Sequence, residues 1–248
     1  MSTDVHVAKT VRRDHPSPYT MGQFHARYPW VLPVVAALFA LLALGAASDL
    51  LFWDKPITRA LVDLRTPTLD HIARRVSWFG STKVVFPLAA ILALASWRRC
   101  PRLALAIVII ALARPLTEHV LKELVGRERP QGDQLVPGRG PSFPSGHPLA
   151  TAASWGLLPL VVGLYTARRA VWWTSAVIVW ALALVVAASR VWLGVHWTSD
   201  VVGGLLLASI GVLAAERFIA AMHGPECGTA WPAFRRATPP QPRRTPVP

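Results

Sequence analysis

Six apolar runs, separated by short polar linkers, constrain this chain more than any single residue does. They cover Trp30–Ser48, Val84–Trp97, Leu103–Val125, Leu149–Thr166, Val171–Ala188 and Val201–Ile219. A helix needs about 20 consecutive apolar residues to cross the hydrocarbon core of a bilayer, and most of these runs approach that length. A mean hydropathy of +0.39 with 16% charged residues agrees with a membrane protein. The expected fold is all-α, an integral membrane bundle of about six transmembrane helices. Gly203, Gly204, Ala208 and Gly211 place small residues along the last run, which suits close helix packing.

Between the first two runs, Asp54 to Gly80 has a different pattern. Ile57, Ala60, Leu61 and Leu64 recur at helical spacing, as do Leu69, Ile72, Ala73 and Val76, among Arg59, Arg65, Arg74 and Arg75. This predicts two short amphipathic helices on the membrane surface, broken at Pro67. Residues 1–28 are polar and residues 223–248 are rich in proline and arginine; both are expected to be disordered tails around a single domain at 29–222. The first run has no small-residue cleavage site and reads as a retained anchor. Cys100 and Cys227 stand far apart, which supports neither a disulfide framework nor a zinc cluster.

The formal net charge is +13, but the basic residues are scattered over loops and tails. They read as lipid-headgroup contacts, topology signals and phosphate ligands, not as a nucleic-acid surface. The basic linkers Arg98–Arg102 and Arg168–Arg169 assign themselves and both termini to the cytoplasm of a multi-pass plasma-membrane protein. Three polar stretches, at Lys122–Pro130, Pro144–His147 and Ser189–Asp200, then emerge together on the outer face.

Those stretches gather Lys122, Arg129 and Arg190 as cations, His147 and His196 as titratable rings, and Asp200 as a carboxylate. Cations and histidines at one membrane face are costly unless they bind an anion and act on it. Ser145-Gly146-His147 opens a helix, where free backbone N–H groups and the dipole favour an anion. His196 and Asp200 are four apart, so on a helical turn the carboxylate lies beside the imidazole and can fix its tautomer. No group of residues has metal-ligand spacing.

Lys122-x6-Arg129-Pro130, Pro144-Ser145-Gly146-His147 and Ser189-Arg190-x5-His196-x3-Asp200 together resemble the three-part signature of the type 2 phosphatidic acid phosphatase (PAP2) superfamily, in its membrane branch. The resemblance covers roughly Asp54 to Ile219. It implies a metal-independent, cofactor-free phosphatase acting on a membrane lipid phosphate or diphosphate. His196 would be the nucleophile, Asp200 its orienting carboxylate and His147 the general acid and base. Lys122, Arg129, Arg190, Ser145 and Gly146 would hold the phosphate oxygens. Pro148 departs from the commoner pattern, which has a small residue there, and removes one potential N–H donor.

The alternatives are a phosphotransferase using the same phosphohistidine, or a non-catalytic binder or transporter of lipid phosphates. Binding alone needs only the cations, so the complete set of His147, His196 and Asp200 favours an enzyme. Arg114, Glu118 and Lys122 fall at steps of four, with His119 beside them, and read as an ion-pair ladder that holds Lys122. Tryptophans flank the runs as an interfacial belt, and Trp192 and Trp197 bracket the site loop as candidate linings of a lipid entrance.

Overall fold

The protein is described by a computed structural model over residues 28–132, 134–166 and 168–221, in which no strand occurs. The expectations for the two tails lie outside the described residues. The helices are α1 (Val31–Ala47), α2 (Asp54–Asp63), α3 (Pro67–Ser77), α4 (Thr82–Trp97), α5 (Pro101–Val125), α6 (Gly146–Trp155), α7 (Leu158–Gly163), α8 (Arg169–Trp192) and α9 (Thr198–Ala221), with a 3-10 turn at Trp78–Gly80.

Local chemistry places the boundaries. The amphipathic segment divides where the sequence predicts: Thr66 caps α3 by accepting from the Leu69 amide at 3.3 Å, and Pro67 takes the first turn, where its missing N–H costs nothing. Pro101 likewise opens α5, and Gly126 closes it in the left-handed conformation (φ 63°), its amide donating to the Lys122 carbonyl at 2.9 Å. That tight stop turns the chain out of the helix just before Arg127 and Arg129.

Among the described residues, three helical stretches are long and apolar enough to cross a membrane: Pro101–Val125, Ala170–Trp192 and Thr198–Ile219. A third or less of each is buried, so most of their apolar surface faces outward, as a lipid-facing surface would. The other expected spans are shorter or interrupted. α1 has 17 residues, and α4 joins the preceding Pro67–Gly80 helix through a bend of 40°. The run expected as a helix over Leu149–Thr166 is broken into α6 and α7. Pro159 has no N–H and its ring clashes with the carbonyl four residues back, which ends α6 at Trp155.

The paired glycines of α9 let it approach the segment that opens α6. A Cβ at Gly203 would stand 2.5 Å from the Phe143 ring, and one at Gly204 would stand 2.5 Å from the Ser145 carbonyl. The expectation of close packing holds at these two positions. At the opposite end of the bundle, Cys100, Leu103, Ile107, Leu157 and Leu164 form an apolar core. There Arg99 donates to the Leu164 carbonyl at 2.7 Å, and the Tyr165 hydroxyl donates to the Ala95 carbonyl at 2.6 Å. The α4–α5 and α7–α8 linkers therefore share one end, and the three polar stretches share the other. Cys100 is fully buried in that core, and the expectation for Cys227 lies outside the described residues.

Candidate active site

The site is built where three elements meet. After α8 the chain turns through Gly194, whose φ of 74° needs a residue without a Cβ, and the Leu193 amide closes back on the Ser189 carbonyl at 2.9 Å. This tight loop delivers His196 just ahead of α9, whose first turn carries Asp200. The Asp200 Oδ2 accepts from the Trp197 amide at 2.9 Å and lies 3.3 Å from the His196 Nδ1. A carboxylate can only accept, so Nδ1 bears the proton and Nε2 keeps its lone pair. Both side chains are buried. Burial pushes the His196 imidazole down to about 4, an effect that the Asp200 hydrogen bond and charge only partly oppose.

Arg129 stands against that free nitrogen. Its Nη1 lies 3.2 Å from the His196 Nε2 and donates to the Val195 carbonyl at 2.6 Å. Its Nε and Nη2 donate to the Gly140 and Arg139 carbonyls, each at 2.9 Å, so the loop after Pro130 grips the guanidinium. Arg190 is buried and donates through Nη1 to the Ser77 hydroxyl at 2.7 Å, while its Nε finds no acceptor among the described residues. Ser145 is fully buried, its amide bonded to the Asp200 carbonyl at 3.0 Å, and its hydroxyl also has no partner there. Two unspent donors in a buried place are what an anion needs.

His147 follows Gly146 at the start of α6, and the 3-10 turn presses on it: a Cβ at Gly80 would meet the His147 carbonyl at 2.8 Å. The charges of Arg190, His196, Lys122 and Arg114 all reach His147. Every predicted site residue is thus brought to one end of the bundle. Among the site's three cations, Lys122 is turned to a carboxylate, its Nζ lying 2.8 Å from the Glu118 Oε1, while the Glu118 Oε2 lies 3.2 Å from the Arg114 Nη1. The ion-pair ladder expected on this face is present.

Sequence reasoning missed a second network behind Asp200. Arg127 donates through Nη1 to the Asp200 Oδ1 at 2.8 Å and to the Ser199 hydroxyl at 2.6 Å, and through Nη2 to the Asp54 Oδ2 at 2.7 Å. Asp54 also accepts from the Ser199 amide at 2.9 Å and from the Ser199 hydroxyl. The available signal was Arg127 two residues before Arg129: in an extended stretch successive side chains alternate, so residues two apart share a general direction. Asp54 read only as the start of an amphipathic helix. Trp197 lines a cleft of about 710 Å³ together with Arg59, Arg127 and Arg129. Trp192 does not line it; its indole N–H donates to the Asp70 carboxylate at 2.8 Å and its carbonyl accepts from Arg65, pinning α3 and the linker before it to the end of α8. Among the described residues, no three His, Cys, Asp or Glu side chains are grouped to hold a metal ion.

Known proteins are similar to this chain in sequence and fold. A profile of the PAP2 superfamily matches residues 102–222. Phosphatidylglycerophosphatase B of Bacillus subtilis is 31% identical over 167 residues, which span 64% of this chain and 78% of that protein. A putative undecaprenyl-diphosphatase of Escherichia coli is 50% identical over 44 residues, 18% of this chain and 22% of that one. Among solved structures, the transmembrane PAP2-type phosphatidylglycerolphosphate phosphatase of Bacillus subtilis superposes with a TM-score of 0.69 at 25% identity, covering 78% of this chain and 98% of its own. LpxE of Aquifex aeolicus, at 21% identity, covers 66% of this chain and 95% of its own with a TM-score of 0.54, and shares the fold. With the three motifs at one end of the bundle and a relative matched over most of its length, the chain belongs to the PAP2 superfamily of membrane phosphatases.

Proposed function

We propose that this chain hydrolyses lipid phosphates or diphosphates through a phosphohistidine formed on His196. The observation that carries the reading is the His196 ring itself: Nδ1 is tied to Asp200, and Nε2 is left with its lone pair against the Arg129 guanidinium. Burial keeps that nitrogen unprotonated at neutral pH.

In the first step the Nε2 lone pair attacks phosphorus and the bond to the lipid oxygen breaks. His147, whose free ring is kept neutral by burial and the surrounding cations, takes up a proton with the phosphate anion that offsets them, and gives it to that oxygen. In the second, His147 takes a proton from water as the oxygen attacks phosphorus, and the P–N bond breaks to regenerate His196. Lys122, Arg129, Arg190, the Ser145 hydroxyl and the Gly146 amide hold the equatorial oxygens. Phosphoryl transfer needs chiefly positioning and charge neutralisation, which these cations supply without a metal. Asp200 orients the nucleophile and stabilises its cationic form.

Relatives named for phosphatidylglycerophosphate and, as a putative activity, for undecaprenyl diphosphate support a lipid with its phosphate at the membrane boundary. The basic linkers at the opposite end support an outward-facing site. The test is phosphate release by the purified protein from phosphatidic acid, phosphatidylglycerol phosphate and a polyprenyl diphosphate, in the presence of EDTA. Release that survives EDTA, with inhibition by vanadate, is expected. Release from none of the three, or activity lost to EDTA and restored by magnesium, would overturn the reading.

A further inference from the structure

We infer that Arg114, together with Lys122 shared from the phosphate cradle, forms a second anion subsite on the lipid side of that cradle, one that takes the second phosphate group of a two-phosphate lipid when the Glu118 carboxylate that bridges them swings aside. The inference rests on the lipid-phosphatase reading above and narrows its substrate class.

The three residues descend one face of α5 from its polar end, each a turn of about 5.4 Å from the next. Arg114 lies well inside an apolar run, where a cation without an anion is expensive. Glu118 gives one carboxylate oxygen to each cation, at 2.8 Å from the Lys122 Nζ and 3.2 Å from the Arg114 Nη1. Two oxygens of one phosphate group would span the same pair.

The bridging carboxylate is lodged beside the cradle. A Cβ at residue 146 would overlap its Oε1, so a side chain at the first residue of α6 would push the carboxylate out of this place. That places the anion where the free amides of α6 begin. A cavity of about 390 Å³ opens alongside, lined by Thr82, Phe86 and Pro115 as well as by the ladder itself. The side chains of Arg114, Glu118 and Lys122 remain 9%, 19% and 17% exposed, so the carboxylate is not sealed in place. A ladder serving only to hold Lys122 needs neither the contact at Gly146 nor the cavity.

The position names the ligand chemistry. With the scissile phosphate on His196, groups one and two turns further into the membrane face whatever joins that phosphate to the hydrocarbon chain. In phosphatidic acid this is a neutral diacylglycerol. In a polyprenyl diphosphate and in phosphatidylglycerol phosphate it includes a second phosphate, directly attached in one and separated by glycerol in the other.

The test compares kcat/KM for these three lipids in wild type and Arg114→Met. Losing one charge-assisted contact to a phosphate should lower the ratio of two-phosphate lipid to phosphatidic acid by about tenfold or more. A fall confined to the diphosphate places the second phosphate directly next to the first; a fall confined to phosphatidylglycerol phosphate places it beyond the glycerol. An unchanged ratio for both, whatever the common loss, overturns the subsite. Should Arg114→Met not fold, Glu118→Gln keeps the side-chain shape, and inhibition by methylenediphosphonate is compared with inhibition by inorganic phosphate. Removing the competing carboxylate should tighten methylenediphosphonate about tenfold and phosphate by less than about threefold; equal effects overturn the proposal. Failure of the phosphatase reading looks different, since wild type would then release phosphate from none of the lipids.

Discussion

Two ionic networks flank the candidate nucleophile, and they are built to different standards. On one side Arg127 joins Asp54 to Asp200 at 2.7 and 2.8 Å, with side-chain exposures of 7%, 1% and 0%. Ser199 donates further to Asp54, and the Trp197 amide and the His196 ring meet Asp200, so each carboxylate is met several times over. On the other side Glu118 meets Lys122 and Arg114 with one oxygen each, at a partly open cavity. Buried charges hold only if their hydrogen bonds are complete, and a complete network is rigid. The first network fixes the carboxylate that orients His196. The second is loose enough to yield to an incoming anion.

Arg127→Met breaks the rigid side and should produce the largest effect on the fold. It strands two buried carboxylates, Asp54 and Asp200, for a loss of about 3–5 kcal/mol. Thermal unfolding in detergent checks this against Glu118→Gln, which should lower Tm far less. If the two variants are destabilised equally, the contrast between the networks is wrong.

Arg190→Ala sharpens the comparison at the cradle itself. Its Nε has no acceptor among the described residues and its Nη1 rests on Ser77, so its charge is held for something else. Turnover should fall by about 10²–10³, the range for a preorganised oxyanion donor. A loss of less than about threefold would remove Arg190 from the phosphate ligands.

The pH profile reads the rigid network more finely. The nucleophile must be unprotonated, so kcat/KM should fall as pH drops through about 4 rather than through the ordinary histidine range, because burial disfavours the imidazolium. Asp200 holds that value up, so Asp200→Asn, expected to be slower because its imidazole loses the carboxylate that orients it, should have its acid limb moved to still lower pH. A limb that stays in place, or moves up, would mean that Asp200 does not act on His196 electrostatically.

Much of the fold was legible because hydropathy and punctuation agree. Pro67, Pro101 and Gly126 mark helix ends by chemistry that needs no tertiary context, and the small residues of α9 announce close packing. The break after Trp155 was less legible: the apolar run continues across it, and only Pro159 argues otherwise. The candidate site residues stand in three spaced motifs, and the fold brings those motifs to one end of the bundle. Asp54 and Ser199 were not legible in this way, because what matters in them is that α2 folds back on α9 across more than a hundred residues. The contact of Glu118 with Gly146 was hidden for the same reason, although the ladder within α5 was visible as a step of four.

Sidedness is the smallest perturbation. Gly138 is a poor labelling position, since a Cβ there would meet the Arg129 Cδ at 2.8 Å, but Gln131 in the same loop is exposed. A membrane-impermeant thiol reagent should label Gln131→Cys in intact cells. Protection until the cells are opened would place the site on the cytoplasmic leaflet and leave the chemistry at His196 unchanged.

The most direct test of the central claim is to trap the phosphoryl group. Enzyme mixed with lipid carrying labelled phosphate and quenched within a turnover should hold the label in a base-stable, acid-labile adduct on the peptide containing His196. His196→Ala should hold none and lose at least about 10⁴ in rate. Label on another residue, or a His196→Ala enzyme that keeps most of its activity, would contradict it.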